Sequence, residues 1–221
     1  MRLDRRAAGL ALTGIAGWVD AVGVLSFPGP IRVFPSFMGG NSTQAVAQLA
    51  DDDLSHAALF AGVVTLFLVG VVLGRIMHAE GEEREALPLV FVAVVLGAAL
   101  VSVLVEASVE VSVGTLALAM GAANSTLGGV GPFGAKTFVT STIVDIGHRL
   151  GDVVRRRDTW SSLGPLLLVW GSLLAGGIGG ALTATHASVA VGVAVPAAVV
   201  AALAVVVAAG RITEPRGAAR R

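Results

Sequence analysis

Apolar residues gather into six long runs, predicting helices near residues 7–27, 56–77, 86–105, 111–128, 161–182 and 188–209. Their lengths suit a hydrocarbon core about 30 Å thick, which a helix rising about 1.5 Å per residue crosses in about 20 residues. Two shorter and more polar stretches, near 36–50 and 137–152, interrupt the pattern. The first contains Met38-Gly39-Gly40-Asn41-Ser42-Thr43-Gln44, the second Thr137-Phe138-Val139-Thr140-Ser141-Thr142. Lipid leaves such groups unsatisfied, so they are expected where they are buried in protein or line a cavity.

Composition fixes the class. Hydrophobic residues make up 55% of the 221, charged residues only 14%, and mean hydropathy is +0.84. Soluble domains carry about 25% charged residues. The chain therefore reads as one all-α integral membrane domain over 1–221, with the lipid bilayer as its first partner. Zero formal charge implies no nucleic-acid surface, and the absence of cysteine excludes disulfides and thiolate chemistry. Fourteen of the fifteen basic residues are arginine, as in GC-rich bacterial genomes. Arg2, Arg5 and Arg6 ahead of an apolar run resemble a signal peptide, but Asp20 interrupts that run and the segment recurs later.

Arginine placement bears on topology. If the two short segments dip in and return, six helices cross, and with the N-terminus inside 14 basic residues face inward and only Arg32 outward. If the short segments cross, there are eight spans, and the division becomes 11 against 4. Positive charge favours the inner side, so six spans are expected, with both termini cytoplasmic and residues 211–221 a basic tail.

The two halves look duplicated, over about 7–105 and 111–210. Gly17 and Asp20 match Gly121 and Asn124 at an offset of 104; Phe37, Leu49 and Asp51 match Phe138, Leu150 and Asp152 at 101. Gly70 and Gly74 match Gly176 and Gly180 at 106, and Pro88 matches Pro196 at 108. With three crossings per half, the second copy enters from the opposite face, giving two inverted three-helix repeats, each with a broken or re-entrant half-helix. Secondary transporters use this design, with the solute site near the midplane.

Asp20 is the residue most in need of a reason, because a carboxylate deep in a spanning helix costs about 2.5–3.5 kcal/mol on insertion scales. It is either a proton carrier or substrate ligand, or a structural group held by helix-end amides or by Arg32. Asn124, its counterpart, cannot titrate. Gly39 and Gly40 are expected to break the helix, with Asn41, Ser42 or Thr43 capping a new one; Thr140, Ser141 and Thr142 are expected to cap the second half-helix. Two helix N-termini aimed at one cavity favour an anion, a carbonyl oxygen or ionised Asp20. The candidate substrate site is thus Asp20, Gly40, Asn41, Ser42, Thr43, Asn124, Thr140, Ser141 and Thr142, with Asp20 as the proton-coupling group.

The remaining features read as architecture. The paired glycines at 70/74 and 176/180 suit close helix packing, Arg155–Arg157 anchor the inner face, Trp160 suits the interface, and Trp18 and Trp170 the bundle interior. His56, His78, His148 and His186 lack ligand spacing, so neither metal nor other cofactor is expected. No constellation for catalysis is recognisable.

The same residues carry a resemblance. Gly17-Trp18-Val19-Asp20-Ala21 followed by Phe37-Met38-Gly39-Gly40-Asn41-Ser42-Thr43 resembles the first signature of the YoaK-like family of bacterial integral membrane proteins of unknown function. Met120-Gly121-Ala122-Ala123-Asn124 and Phe138-Val139-Thr140-Ser141-Thr142 resemble its second. The family pattern has threonine or serine where this chain has Gly39, and glycine where it has Ser141. The resemblance implies a bacterial inner-membrane location and brings no substrate.

Together these features suggest a non-enzymatic, proton-coupled transporter of a small molecule or ion, with export the preferred direction. A passive channel and a non-conducting scaffold subunit are the alternatives, and homo-oligomerisation stays open. A scaffold would show a solidly packed midplane, with Asn41 and Asn124 bonded only to protein and no cavity.

Overall fold

The computed structural model describes residues 3–26, 32–77, 86–126, 139–210 and 212–213. Its architecture is helical. The helices are α1 (Arg5–Ser26), α2 (Met38–Ala50), α3 (Leu54–Met77), α4 (Ala86–Leu104), α5 (Val109–Asn124), α6 (Val139–Val154), α7 (Gly164–His186) and α8 (Val189–Ala208). A 3-10 turn at Trp160–Leu163 leads into α7. Among the described residues, the one departure from helix and connecting turns is a two-residue parallel pairing of β1 (Leu3–Asp4) with β2 (Ile212–Thr213), which puts the start of α1 beside the segment after α8.

Five segments are long and apolar enough to cross a bilayer: α1, α3, α4, α8, and α7 with its leading turn. α5 is apolar but shorter at 16 residues, and α2 has only 13. The expected run 111–128 continues into residues outside the described set, as do Thr137 and Phe138 and, apart from the backbone of Ile212–Thr213, the tail 211–221. Local chemistry sets several boundaries. Ser108 and Ser188 accept from the amides of Val111 and Val191, capping α5 and α8, and Pro165 sits in the first turn of α7.

Helix packing is organised by glycine. α1 runs parallel to α7, and α3 parallel to α5, each pair with backbone against backbone. A Cβ on Gly17 would collide with the Leu173 carbonyl, one on Gly176 with that of Gly14, and one on Gly180 with that of Trp18. In the other pair, Gly121 faces the Phe67 carbonyl, Gly70 that of Leu118 and Gly74 that of Ala122. Each contact in one pair has its partner in the other, at offsets of 104 for α1 and α5 and 106 for α3 and α7. Hydroxyls strap the pairs together: Ser172 donates to the Leu10 carbonyl at 2.6 Å and Ser125 to that of Val71 at 2.9 Å.

α4 and α8 pack on each other and complete the apolar core, where Leu12, Leu89, Leu96, Leu116 and Met120 are fully buried. Pro196 lies inside α8 and cannot donate to the Gly192 carbonyl one turn back. Trp18 supplies the missing donor, its Nε1 lying 2.8 Å from that oxygen. Trp18 therefore packs in the bundle as expected. Trp170 does not: it is exposed, as is Trp160 at 68%.

Candidate functional site

Asp20 lies six residues before the end of α1, about 9 Å of helix rise inside it. Beyond α1, residues 32–37 run back along the helix. Arg32 Nη1 donates to the Val24 carbonyl at 2.5 Å, and Pro35 and Val33 press on Gly23, where a Cβ would lie 2.6 Å from the proline ring. This return brings Ser36 to the carboxylate. The Ser36 amide donates to Asp20 Oδ1 at 2.7 Å and its hydroxyl to Oδ2 at 2.6 Å. Hydrogen bonds to a charged acceptor contribute about 1.5–3 kcal/mol each, so this set offsets the insertion cost of the charge. Of the two structural partners expected for Asp20, a helix-end amide is present, while Arg32 is bound elsewhere.

A side chain of α1 thus serves the start of α2. α2 begins at Met38, ahead of the expected break at Gly39-Gly40, with Phe37 in the capping position and no side-chain cap of its own. The glycines have a packing role instead: a Cβ on Gly40 would lie 2.7 Å from the Phe37 ring. Phe37 meets Phe34 edge to face, with centroids 5.8 Å apart and planes at 88°.

Asn41 is fully buried and clamps the preceding turn. Its Oδ1 accepts from the Phe34 amide at 3.1 Å and its Nδ2 donates to the Phe34 carbonyl at 2.6 Å. Ser42 and Thr43 are exposed and return their hydroxyls to the carbonyls of Met38 and Gly39, so neither caps the helix as expected. Asn124 donates to the Met120 carbonyl at 2.8 Å within α5. Thr140, Ser141 and Thr142 occupy the first turn of α6.

Asp20 and Thr140 share a cavity of about 560 Å³ between α1 and α7. Phe34 and Phe37 form one wall, and Leu173, Leu174, Gly177, Ile178 and Ala181 the other. Among the described residues, the carboxylate and the Thr140 hydroxyl are its polar side chains, and the rest of the lining is aliphatic, aromatic or glycine. Of the sequence-derived candidates the cavity collects these two. Gly40 and Asn41 stand behind its aromatic wall. Ser36, which holds the carboxylate, has no sequence signal, being one serine in an ordinary Phe34-Pro35-Ser36-Phe37 string.

Among the described residues, no group of three or more His, Asp or Glu side chains is arranged to hold a metal. His56 instead contacts Asp53, Nδ1 to Oδ2, at 2.6 Å.

Long apolar helices packed by glycine, with a polar interruption returning to a carboxylate, define a multi-pass helical membrane protein. Within that class the chain belongs to the family described as "Protein of unknown function (DUF1275)", which matches residues 8–206. The match agrees with the resemblance to YoaK-like proteins. No curated protein and no solved structure matches the chain.

Proposed function

We propose that the protein is a six-span transporter of a small solute in the bacterial inner membrane, built from two inverted three-helix repeats, with its solute site in the Asp20 cavity. The observation that carries the proposal is the meeting of Asp20, the Phe34–Phe37 return segment and Thr140 of α6 around one cavity. The second polar interruption reaches it through Thr140, and Phe37, directly ahead of the first, forms part of its wall, which suits a shared midplane site.

Several observations support the topology. α2, at 13 residues, rises about 20 Å, too little to cross a core of about 30 Å. Val33, which touches Gly23 near the end of α1, packs in a cluster with Phe60 and Val63 of α3 and Val113 and Ala117 of α5. Phe60, Val63 and Val113 belong to the first halves of α3 and α5 and Ala117 to the middle of α5, which suits an α1 that ends on the side where α3 and α5 begin. That arrangement suits a re-entrant α2 and antiparallel α1 and α3. The exchange of equivalent glycine contacts between the α1–α7 and α3–α5 pairs suits a twofold relation of the halves.

Asp20 is the proposed coupling group. An ionised carboxylate accepts about four hydrogen bonds, and Ser36 supplies two, leaving room toward the cavity for a proton or a solute. The work is non-covalent, and export is the preferred direction. The test is solute flux in proteoliposomes under an imposed pH gradient. Coupling requires that flux respond to the gradient and that Asp20→Asn abolish the response; flux indifferent to both overturns it.

One observation favours a non-conducting scaffold: Asn41 is wholly engaged with the Phe34 backbone. The cavity beside it is what a scaffold would not need.

A further inference from the structure

The Ser36 amide and hydroxyl, just ahead of α2, would hold an anion if they were vacant, but Asp20 fills them. The cavity therefore presents a carboxylate rather than a helix end to whatever enters. We infer that it binds lipophilic monocations, admitted from the bilayer; the inference rests on the reading of this cavity as the solute site.

Charge, lining and access support it independently. Among the described residues Asp20 is the only ionisable one in the lining, and the neighbouring Arg32 is tied to the Val24 carbonyl. An anion there would face a like charge where water screens poorly. A cation would find its counter-charge and, at Phe34 and Phe37, two rings whose faces attract positive charge. The volume, about 560 Å³, falls within the range that takes drug-sized ligands. The remaining wall is hydrocarbon, so the body of the ligand must be apolar. Leu174 and Ile178 on that wall are 44% and 63% exposed on a helix long enough to span the bilayer. The way in is thus lateral, open to molecules that already partition into lipid. A proton and such a cation compete for the same carboxylate, which is the requirement for exchanging one for the other.

The test uses two ions of nearly the same shape and opposite charge, tetraphenylphosphonium and tetraphenylborate, titrated against the full chain in lipid nanodiscs. Saturable binding of the phosphonium ion is expected, with tetraphenylborate no better than in protein-free discs. Asp20→Asn should weaken phosphonium binding at least tenfold and Phe37→Ala several-fold. Because Asp20 also holds the start of α2, a second variant leaves the carboxylate untouched: Ala181→Phe fills the cavity from α7 and should also cost at least tenfold. Equal binding of both ions, or phosphonium binding indifferent to Ala181→Phe, overturns the inference. Flux of another solute without phosphonium binding also overturns it and leaves the transport proposal standing. Phosphonium binding without any flux supports the inference and removes transport.

Discussion

Gly176→Ala should destabilise the protein, and the structure says by how much. A Cβ at this position would fall on the Gly14 carbonyl and lie 2.8 Å from the Gly14 Cα, against 3.4–4 Å for ordinary contact. The opposing atoms are backbone, so no rotamer change can make room, and α1 must retreat from α7. Overpacking of this kind costs about 1–3 kcal/mol, and a rigid contact belongs at the upper end. Alanine recovers up to about 1 kcal/mol through its better helix propensity, leaving a net loss of about 2 kcal/mol. Gly171, five residues earlier in the same helix, has nothing within 4 Å of its would-be Cβ, and the same holds for Gly97 in α4. Alanine at either should be neutral or stabilising by up to about 1 kcal/mol. The spread between Gly176→Ala and Gly171→Ala is then about 3 kcal/mol, or about 6–12 °C in melting temperature for a chain of this size. Thermal unfolding of the purified variants in one detergent, followed by circular dichroism, measures it. Gly70→Ala, opposed to the Leu118 carbonyl, should repeat the loss. Gly176→Ala melting together with Gly171→Ala would refute the backbone contact.

Other predictions follow from individual contacts. Ser36→Ala removes the hydroxyl bond to Asp20 Oδ2 and should lower stability by about 1.5–3 kcal/mol, with Ser36→Thr retaining most of it; melting in detergent separates the two. Trp18→Phe removes the donor to the Gly192 carbonyl beside Pro196 and should cost about 1–3 kcal/mol in the same assay, whereas a loss near zero would mean that the carbonyl finds another donor. Single cysteines report topology without background. Six spans put Ser55→Cys and Ser108→Cys opposite Thr159→Cys for an impermeant reagent, whereas eight spans put all three on one side. The His56 ring and amide hold the Asp53 carboxyl below the usual carboxylate range, so its contribution is present above that range and lost as pH falls through it. Asp53→Asn should therefore flatten the stability curve below about pH 4, and an unchanged slope would assign the acid sensitivity elsewhere.

Five of the six expected spanning helices were legible because hydropathy alone defines them, with ends moved by only a few residues; α7 continues to His186, while α5 stops at Asn124 and is shorter than a span. The glycine spacing was legible too, since close packing leaves few uses for Gly70/Gly74 and Gly176/Gly180. The partners were not, because nothing local to Gly17 points to Leu173. Asp20 announced itself by its cost, but its donor Ser36 did not, because the bond is made by chain reversal rather than helical spacing. Gly39-Gly40 misled: two glycines read as a break, whereas they make room for the Phe37 ring inside a helix already begun. Asn41 looked like a cap or a ligand, and its amide instead matches the donor and acceptor of the Phe34 peptide. Trp170 was placed in the bundle interior, whereas its side chain is exposed.

The pairing of α1 with α7 also sets an order of events during synthesis. Gly17 is made about 160 residues before the Leu173–Gly177 stretch that covers it, so at about 5–20 residues per second α1 waits about 8–30 s for its partner. α3 finds α5 after only about 50 residues. The nascent chain therefore brings α3 and α5 together first, and its first helix has the longest wait for a partner. Ser36, only 16 residues downstream of Asp20, can satisfy the carboxylate during that interval. The contact that shapes the mature cavity thus also shelters the charge while the rest of the protein is still being made.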